Sequence, residues 1–336
     1  MTVFSVITLL GGLAFFLYGM HVMSSGLEKM SGSKLEKILK RATDNRFTAL
    51  ALGAGITIAI QSSSAMTVML VGLVNSGIMK LGQTIGVIMG SNIGTTLTAW
   101  ILSVAGIESD NILVNLLKPE NFAPIFALVG IILVMMSKDK RKQDVGTIML
   151  GFAVLMSGMT LMSDAMKPLA DSPDFSSVLT SFYSLPLAPI LGVAVGAIFT
   201  GIIQSSAASV GILQALSLTG NITFGMALPV IMGQNIGTCV TAIISSIGVN
   251  KNAKRVSVIH ILFNLIGTVV FLILFSGLNL IFKFNFLNKA ISPVGIAAVH
   301  SVFNIATTAI LFPFAKSLEK MSTFIVRDSE HKEKYE

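Results

Sequence analysis

Long apolar segments alternate with short polar ones along the whole chain. A helix needs roughly 20 apolar residues to cross a bilayer. Seven segments meet that requirement and predict transmembrane helices over residues 3–24, 82–105, 121–137, 145–165, 225–248, 256–277 and 292–314. Between Asp174 and Lys251 there is no Asp, Glu, Lys, Arg or His. The pattern therefore predicts an all-α protein that crosses a membrane several times, with residues 3–24 as a retained helix rather than a cleaved signal peptide.

Four shorter apolar segments depart from this pattern because each pair flanks a polar cluster. Residues 47–60 and 65–77 surround Gln61-Ser62-Ser63-Ser64, and residues 186–203 and 208–219 surround Gln204-Ser205-Ser206-Ala207. A helix of about 14 residues is roughly 20 Å long, too short for a hydrocarbon core of ~30 Å. Each pair therefore predicts a re-entrant helical hairpin, whose polar tip must face protein or a watery cavity.

The polar clusters occur twice at a constant spacing. Gln61-Ser62-Ser63 returns as Gln204-Ser205-Ser206, and Asn92-Ile93-Gly94-Thr95 returns as Asn235-Ile236-Gly237-Thr238, 143 residues later in both cases. Glycines flank each Asn, and glycine weakens a helix by about 1 kcal/mol relative to alanine. We therefore expect each copy to contain a broken transmembrane helix, and duplicated polar breaks of this kind mark transport sites.

Composition and charge support the membrane class and limit the partners. The chain has 53% hydrophobic and 12% charged residues and a mean hydropathy of +0.82, whereas soluble domains carry about a quarter charged residues. The net charge of +7 is concentrated in a few loops, so it indicates the cytoplasmic side rather than nucleic acid. The single cysteine, Cys239, excludes an intramolecular disulfide.

Loop charges predict that the two copies have opposite orientations. The loop after the first helix is basic, from Lys29 to Arg46, whereas its second-copy equivalent carries Asp171 and Asp174. The loop after the second Asn-Ile-Gly-Thr span is basic, from Lys251 to Arg255, whereas its first-copy equivalent leans acidic. By the positive-inside bias, the repeats have inverted topology.

This interpretation divides the chain into five parts. They are a first inverted repeat, a cytoplasmic linker, a second inverted repeat, an additional transmembrane helix and a polar cytoplasmic tail, over residues 1–137, 138–144, 145–277, 278–316 and 317–336.

The hairpin tips offer sites for an anion and a cation side by side. The second arm of each hairpin presents a helix N-terminus, which attracts anions, while hydroxyl and amide oxygens suit a hard cation. The predicted core has no Lys or Arg to neutralise an anion, so co-bound cations are the expected source of positive charge. It also has no Asp or Glu to relay protons, which favours sodium.

Single polar residues in these segments also have purely structural interpretations. A Ser or Thr in a membrane helix often bonds back to its own helix, but four clusters repeated in register favour binding. His21, His260 and His300 are interpreted as packing or interhelical hydrogen-bonding groups, since no two have metal-ligand spacing beside a carboxylate.

The two Gln-Ser-Ser clusters, the Asn-Ile-Gly-Thr strings and His260-x-x-Phe263-Asn264 resemble the type II sodium-dependent phosphate cotransporters. The resemblance covers nearly the whole chain and points to a bacterial member. It implies sodium-coupled symport of inorganic phosphate by alternating access in the plasma membrane, with sodium as a co-transported ligand and no resident cofactor. Two departures are Ala207, in place of a third serine, and the absence of the His-x-x-Phe-Asn string from the first copy.

The resemblance also implies that the polar groups of the Gln-Ser-Ser and Asn-Ile-Gly-Thr clusters contribute ligands, and it leaves open which hydroxyls contact phosphate and which contact sodium. Phosphate is expected at Gln61, Ser62, Ser63, Ser64, Gln204, Ser205, Ser206, Asn92 and Asn235. Sodium is expected at Gln61, Ser64, Gln204, Ser205, Ser209, Thr95, Thr96 and Thr238.

Four alternatives and the oligomeric state stay open. Within transport, the chain could export phosphate or carry another oxyanion, or it could be a passive channel. From another class, Ser63 with His260 or His300 could form a membrane serine hydrolase, although no Gly-x-Ser-x-Gly motif is present. The partners predicted are phosphate, sodium and the lipid bilayer, and a homo-oligomer is compatible with the sequence.

Overall fold

The computed structural model describes residues 3–42, 45–104, 119–170, 185 and 187–327. Apart from 3-10 turns and one isolated bridge between Thr223 and Ala290, these residues form α-helices and their connections. The helices are α1 Val3–Ala42, α2 Arg46–Ile60, α3 Ser63–Asn75, α4 Leu81–Ser103, α5 Pro119–Met136, α6 Lys140–Ala170, α7 Ala188–Ile203, α8 Ser206–Ser217, α9 Phe224–Gly237, α10 Cys239–Ser245, α11 Lys251–Phe282, α12 Pro293–Leu311 and α13 Ala315–Ile325.

Six segments of the described chain are long and apolar enough to cross a membrane: Val3–Leu27, Leu81–Ser103, Lys140–Met166, Phe224–Ser245, Lys251–Phe282 and Pro293–Ile325. They correspond to six of the seven predicted spans. The seventh, residues 121–137, forms α5, whose apolar part Asn121–Met136 falls among the shorter helices. The helix is therefore present, but its length alone does not make it a span.

The two predicted re-entrant segments are helical hairpins. Hairpin 1 consists of α2 and α3, which have 15 and 13 residues, and hairpin 2 consists of α7 and α8, which have 16 and 12. At 1.5 Å per residue no arm exceeds roughly 24 Å. At each hairpin the chain therefore turns back inside the molecule, as the sequence predicted.

The predicted break at the first Asn-Ile-Gly-Thr string is wrong, because α4 runs without interruption from Leu81 to Ser103. Its glycines serve close packing instead. A methyl group on Gly90 would collide with the carbonyl oxygen of Leu50 in α2, and one on Gly94 would lie 2.6 Å from that of Ala54.

The second copy repeats this packing and is interrupted at one residue. Methyl groups on Gly233 and Gly237 would collide with α7 in the same way, at the carbonyl oxygens of Val193 and Ala197. The helix is divided only at Thr238, whose φ of −63° and ψ of −22° remain in the right-handed helical region. Glycine in these strings therefore allows two helices to touch rather than one to unwind.

The outer ends of the two hairpins lie at opposite ends of α11. The backbone N–H of Asn250, just before α11, donates to Asn75 Oδ1 at the end of hairpin 1 (2.9 Å). The segment between α8 and α9 instead contacts the connection that follows α11, where Phe224 N–H donates to the Lys289 carbonyl (3.0 Å). The inverted-topology prediction requires this arrangement, although the orientation in a membrane stays a prediction.

Helices α1 and α6 pack antiparallel through glycine. A methyl group on Gly12 would lie 3.0 Å from the Gly158 carbonyl oxygen, and one on Gly151 would lie 2.9 Å from that of Gly19. Phe16, together with buried α6 methionines, fills the core beside them. A second core, including Met66 and Phe263, joins α3 and α4 to α11.

Part of the predicted polar tail, residues 317–336, is an ordered helix. Residues 317–325 belong to α13, which buries Leu318 and Ser322. Its apolar residues occur at helical spacing between lysines, a pattern that the polar composition concealed. Residues 328–336 and the acidic loop residues Glu108, Asp110, Asp171 and Asp174 lie outside the described part of the chain.

Candidate functional site

Both hairpin tips adopt the same local conformation. Gln61 and Gln204 end the first arms in the left-handed region, with φ of 54° and 58°. Ser62 and Ser205 then cap the second arms, since their hydroxyl oxygens accept from the backbone N–H groups three residues later (3.1 and 3.2 Å). An N-cap serine stabilises a helix start by about 1 kcal/mol. The repeated sequence therefore produces a repeated turn.

The two tips meet. Ser63 Oγ lies 3.5 Å from Ser206 Oγ, and both side chains are buried. These serines are equivalent positions, 143 residues apart. Contact between equivalent residues shows that the two copies adjoin at their hairpin tips.

A cavity of about 80 Å³ lies between the tips. Sites for drug-sized molecules have volumes of ~300–1,000 Å³, so this one suits a small ion. None of the described residues that line it is charged. They are Gln61, Ser62, Ser63, Ser64, Thr95, Thr98, Gln204, Ser205, Ser206 and Ala207.

Helix termini and hydroxyl groups give the cavity its electrostatic character. α3 and α8 begin at Ser63 and Ser206, and the first N–H groups of a helix have no partner within it. Two helix N-termini therefore direct partial positive charge towards the cavity. The adjoining hydroxyl and amide oxygens are neutral ligands of the kind that hard cations prefer.

Thr98 is a site residue that sequence reasoning missed. Its hydroxyl donates to Gln61 Oε1 (2.7 Å), while Gln61 Nε2 donates to the Ile58 carbonyl (2.6 Å). The Gln61 amide is thus fixed at both ends. Thr98 has an equivalent at Thr241, again 143 residues later, and that repetition was the signal that could have identified it.

Both predicted asparagines lie outside this cavity. Asn92 Nδ2 donates to Asn264 Oδ1 on α11, and Asn235 Nδ2 donates to Asn304 Oδ1 on α12, each at 2.8 Å. In the structure these side chains join helices, and a direct role with phosphate stays a prediction.

The predicted sodium ligands divide between the cavity and its surroundings. Thr95 lines the cavity. The hydroxyls of Thr96 and Thr238 donate to carbonyls of their own helices, those of Ile93 and Asn235 (2.7 and 2.6 Å).

Ser209, the remaining predicted sodium ligand, is buried on α8. Its hydroxyl accepts a hydrogen bond from Thr200 Oγ1 across hairpin 2 (2.7 Å). It is not among the residues that line the cavity.

The histidine strings on α11 and α12 are counterparts. His300 Nε2 lies 3.2 Å from Asn235 Oδ1, which confirms an interhelical role for this histidine. Asn304 in turn donates to the His300 carbonyl (2.8 Å), as Asn264 does to the His260 carbonyl (3.0 Å). The string on α12 is thus hydrogen-bonded to α9 through Asn304, as the string on α11 is hydrogen-bonded to α4 through Asn264.

A larger cavity of about 500 Å³ adjoins the site. It shares Gln61, Ser62 and Ser205 with the smaller cavity and extends to Met20 and His21 of α1. The shared residues make it a route by which a ligand could reach the tips.

The sequence model of the Na+/Pi-cotransporter family matches the chain twice, over residues 15–164 and 154–298. The chain belongs to the Na+/Pi-cotransporter family. Each match covers one half, which agrees with the duplication of the hairpins. This family member is a multi-pass membrane protein, and because the family consists of transporters, it is not the serine hydrolase that the sequence left open.

Relatives of this family member carry names that refer to phosphate. The "Putative inorganic phosphate export protein YjbB" of Salmonella typhimurium is 26% identical over 326 residues, which cover 96% of the chain and 56% of that protein. The rat "Sodium-dependent phosphate transport protein 2A" is 35% identical over 106 residues, 30% of the chain and 17% of that protein.

One relative has a length closer to that of the chain. The "Uncharacterized protein YqeW" of Bacillus subtilis is 29% identical over 258 residues, 77% of the chain and 78% of that protein. The chain thus spans little more than half of the Salmonella relative but most of the Bacillus one. No solved structure is significantly similar to it.

Proposed function

We propose that the chain is a plasma-membrane symporter that couples inorganic phosphate to sodium by alternating access. The observation that carries this proposal is the meeting of two equivalent hairpin tips around one small uncharged cavity. Serine hydroxyls from both copies, those of Ser63 and Ser206, line it and lie 3.5 Å apart.

Charge balance explains why sodium would accompany phosphate. A phosphate ion in this cavity would meet helix N-termini and hydroxyls but no Lys or Arg among the lining residues. Burying an isolated charge is costly unless it is compensated. Sodium ions held by oxygens such as Gln61 Oε1 and Thr95 Oγ1 would supply that compensation. Each ion would then lower the cost of binding the other.

The hairpins suggest how access would alternate. Their outer ends lie at opposite ends of α11 while their tips share one cavity. A movement of the tips relative to the surrounding helices would expose the cavity to one end of the molecule at a time. Because the copies are equivalent, the two exposed states would resemble each other.

Reciprocal binding tests the coupling. If the two ions stabilise each other, sodium raises the affinity for phosphate and phosphate raises the affinity for sodium by the same factor. We expect this factor to be about 5 to 150 for purified protein, the range of typical couplings. Labelled-phosphate binding would be measured in sodium and in potassium at equal ionic strength. An unchanged phosphate affinity would disprove coupling at the site.

Phosphate export is the second candidate, because the name of the Salmonella relative refers to export. The same site would serve a flux in either direction. Phosphate efflux from loaded cells that make the protein, measured with and without external sodium, would separate the two directions. Competition by arsenate, sulfate and carboxylates would establish which oxyanion the cavity selects, and saturation at low phosphate would argue against a passive channel.

A further inference from the structure

A second polar cavity lies at the surface where α2 and α4 begin. Its volume is about 310 Å³, and α13 forms its outer wall. Arg46 of α2, Lys80 before α4 and Lys316 of α13 line it, together with Glu319. It shares no lining residue with the cavity between the hairpin tips.

The three basic side chains of this cavity outnumber its one acidic side chain, Glu319. Within the described ranges, no carboxylate lies within salt-bridge distance of Arg46, Lys80 or Lys316. Like charges around one cavity repel each other, and more strongly where water is excluded. An anion in the cavity would relieve that repulsion.

One negatively charged group, the Glu319 carboxylate, already lines this cavity. A methyl group on Gly82 would lie 3.4 Å from both of its carboxylate oxygens, so the carboxylate rests against the first turn of α4. A carboxylate is favourable at a helix N-terminus. Glu319 offsets one of three positive charges, which leaves the cavity with a formal surplus of two.

The position of the cavity among basic residues favours ligands that carry a phosphate group. Basic residues gather on this end of the molecule at the starts of α2, α4 and α11 and on α13: Arg46, Lys80, Lys251, Lys254, Arg255, Lys316, Lys320 and Arg327. Basic pockets between membrane helices bind phosphate-bearing head groups. The volume falls at the lower end of the ~300–1,000 Å³ typical of small-molecule sites and exceeds that of the cavity between the tips.

We propose that this cavity is a separate binding site for a phosphate-group anion, held by Arg46, Lys80 and Lys316. The phosphate group would belong either to an anionic lipid or to free phosphate, since both present the same charged oxygens. Bound there, the anion would link hairpin 1 to α4 and to the C-terminal helix.

Existing contacts already bring these elements together. The rings of Phe47 and Phe312 lie 4.9 Å apart, between the start of α2 and the start of the segment that leads into α13. Arg255 of α11 donates two hydrogen bonds to the Val326 carbonyl at the end of α13 (3.1 and 2.8 Å). The anion would therefore strengthen a junction that the chain already makes.

The proposal is tested by measuring anion binding to the delipidated protein in sodium-free potassium buffer. The probes are inorganic phosphate, short-chain phosphatidic acid and, as a zwitterionic control, short-chain phosphatidylcholine. Affinity would be measured by native mass spectrometry for the lipids and by labelled-phosphate binding. We expect Lys80→Gln or Lys316→Gln to weaken anion binding about tenfold, since each removes one adjacent charge.

Variants with opposite expected effects on anion affinity make the test specific to this cavity. Glu319→Gln should tighten binding, because it removes the one negative charge, and Lys80→Arg should retain it. Lys283→Gln with Lys289→Gln, at the other end of α11, is the matched control and should change nothing.

The two phosphate sources give distinct results. Binding of phosphatidic acid alone identifies a lipid site, and binding of inorganic phosphate alone identifies a soluble one. No anion binding, or binding indifferent to Lys80, Lys316 and Glu319, would overturn the proposal. Because the transport cavity contains none of these residues, either result is independent of the proposed symport.

Discussion

At the scale of single residues, the feature that distinguishes the two halves of the candidate site is how the Gln61 amide is fixed. Gln61 Oε1 accepts from Thr98 Oγ1 (2.7 Å), whereas the equivalent Thr241 has a buried hydroxyl with no hydrogen-bond partner among the described residues. A buried acceptor that loses its donor costs about 1–3 kcal/mol. The two threonines therefore make unequal contributions despite their equivalent positions.

Replacement of each threonine by the isosteric valine tests this difference. Thr98→Val should weaken phosphate binding about tenfold, a loss of ~1.4 kcal/mol, because the Gln61 amide is no longer held. Thr241→Val should leave affinity and thermal stability nearly unchanged. Phosphate binding and the unfolding midpoint of both purified variants are the measurements, and equal losses would contradict the assigned role of Thr98.

The tip residues could be predicted because they are repeated. The directions in which other side chains point could not be predicted. Gln61 and Ser63 stood out because both recur 143 residues later. Asn92 recurs too, but its amide bonds to Asn264 on a helix far along the chain. A linear pattern identifies a polar residue without showing which helix face carries it or what lies opposite.

At the scale of helices, glycine controls the contact between each hairpin and the helix behind it. A methyl group on Gly53 of α2 would collide with the Val87 carbonyl oxygen of α4, whereas one on Gly55 would have nothing within 4 Å. These two glycines occupy one helix, two residues apart, and differ mainly in what they face.

The alanine variants of these glycines should have opposite effects. Gly53→Ala should destabilise the protein by about 1–3 kcal/mol or more through overpacking and should impair transport. Gly55→Ala should be neutral or stabilising by up to ~1 kcal/mol. Thermal unfolding in one detergent would compare them, and similar midpoints would show that α2 and α4 are not in close contact.

The two roles of glycine also explain why a helix break was wrongly expected in α4. Glycine lacks Cβ, which both frees the backbone and lets another helix approach. From the sequence alone, the flanking Gly90 and Gly94 are compatible with a helix break or with the close approach of another helix. Only the partner helix shows that close approach is the use here. The membrane-length helices and the hairpin lengths were predictable because they follow from apolar segment length alone, whereas α13 was missed in a polar segment.

At the scale of the whole molecule, two halves contribute equivalent parts to one centre. Each half supplies a hairpin tip, and Asn264 of α11 and Asn304 of α12 make matching hydrogen bonds to α4 and α9. The sequence placed α12 outside both repeats. Its partnership with α9 could not be predicted because it depends on which helices become neighbours in space.

Cross-linking tests whether the tips meet. In a Cys239→Ala background, which contains no other cysteine, Ser63→Cys with Ser206→Cys should form a disulfide on oxidation, since the native Oγ atoms are 3.5 Å apart. Because both serines are proposed ligands, the readout is the cross-link itself, resolved by mass spectrometry before and after a reductant. Ser76→Cys with Ser206→Cys is the control, because Ser76 lies at the outer end of hairpin 1. Equal cross-linking of both pairs would contradict the arrangement of the tips.

The most direct test of sodium-coupled symport is labelled-phosphate uptake by proteoliposomes. With sodium outside and potassium inside, phosphate should accumulate above its external concentration and should leave again when the sodium gradient is collapsed. With equal sodium on both sides, it should only equilibrate. Uptake that is the same with and without the gradient would contradict sodium-coupled symport at the two hairpin tips.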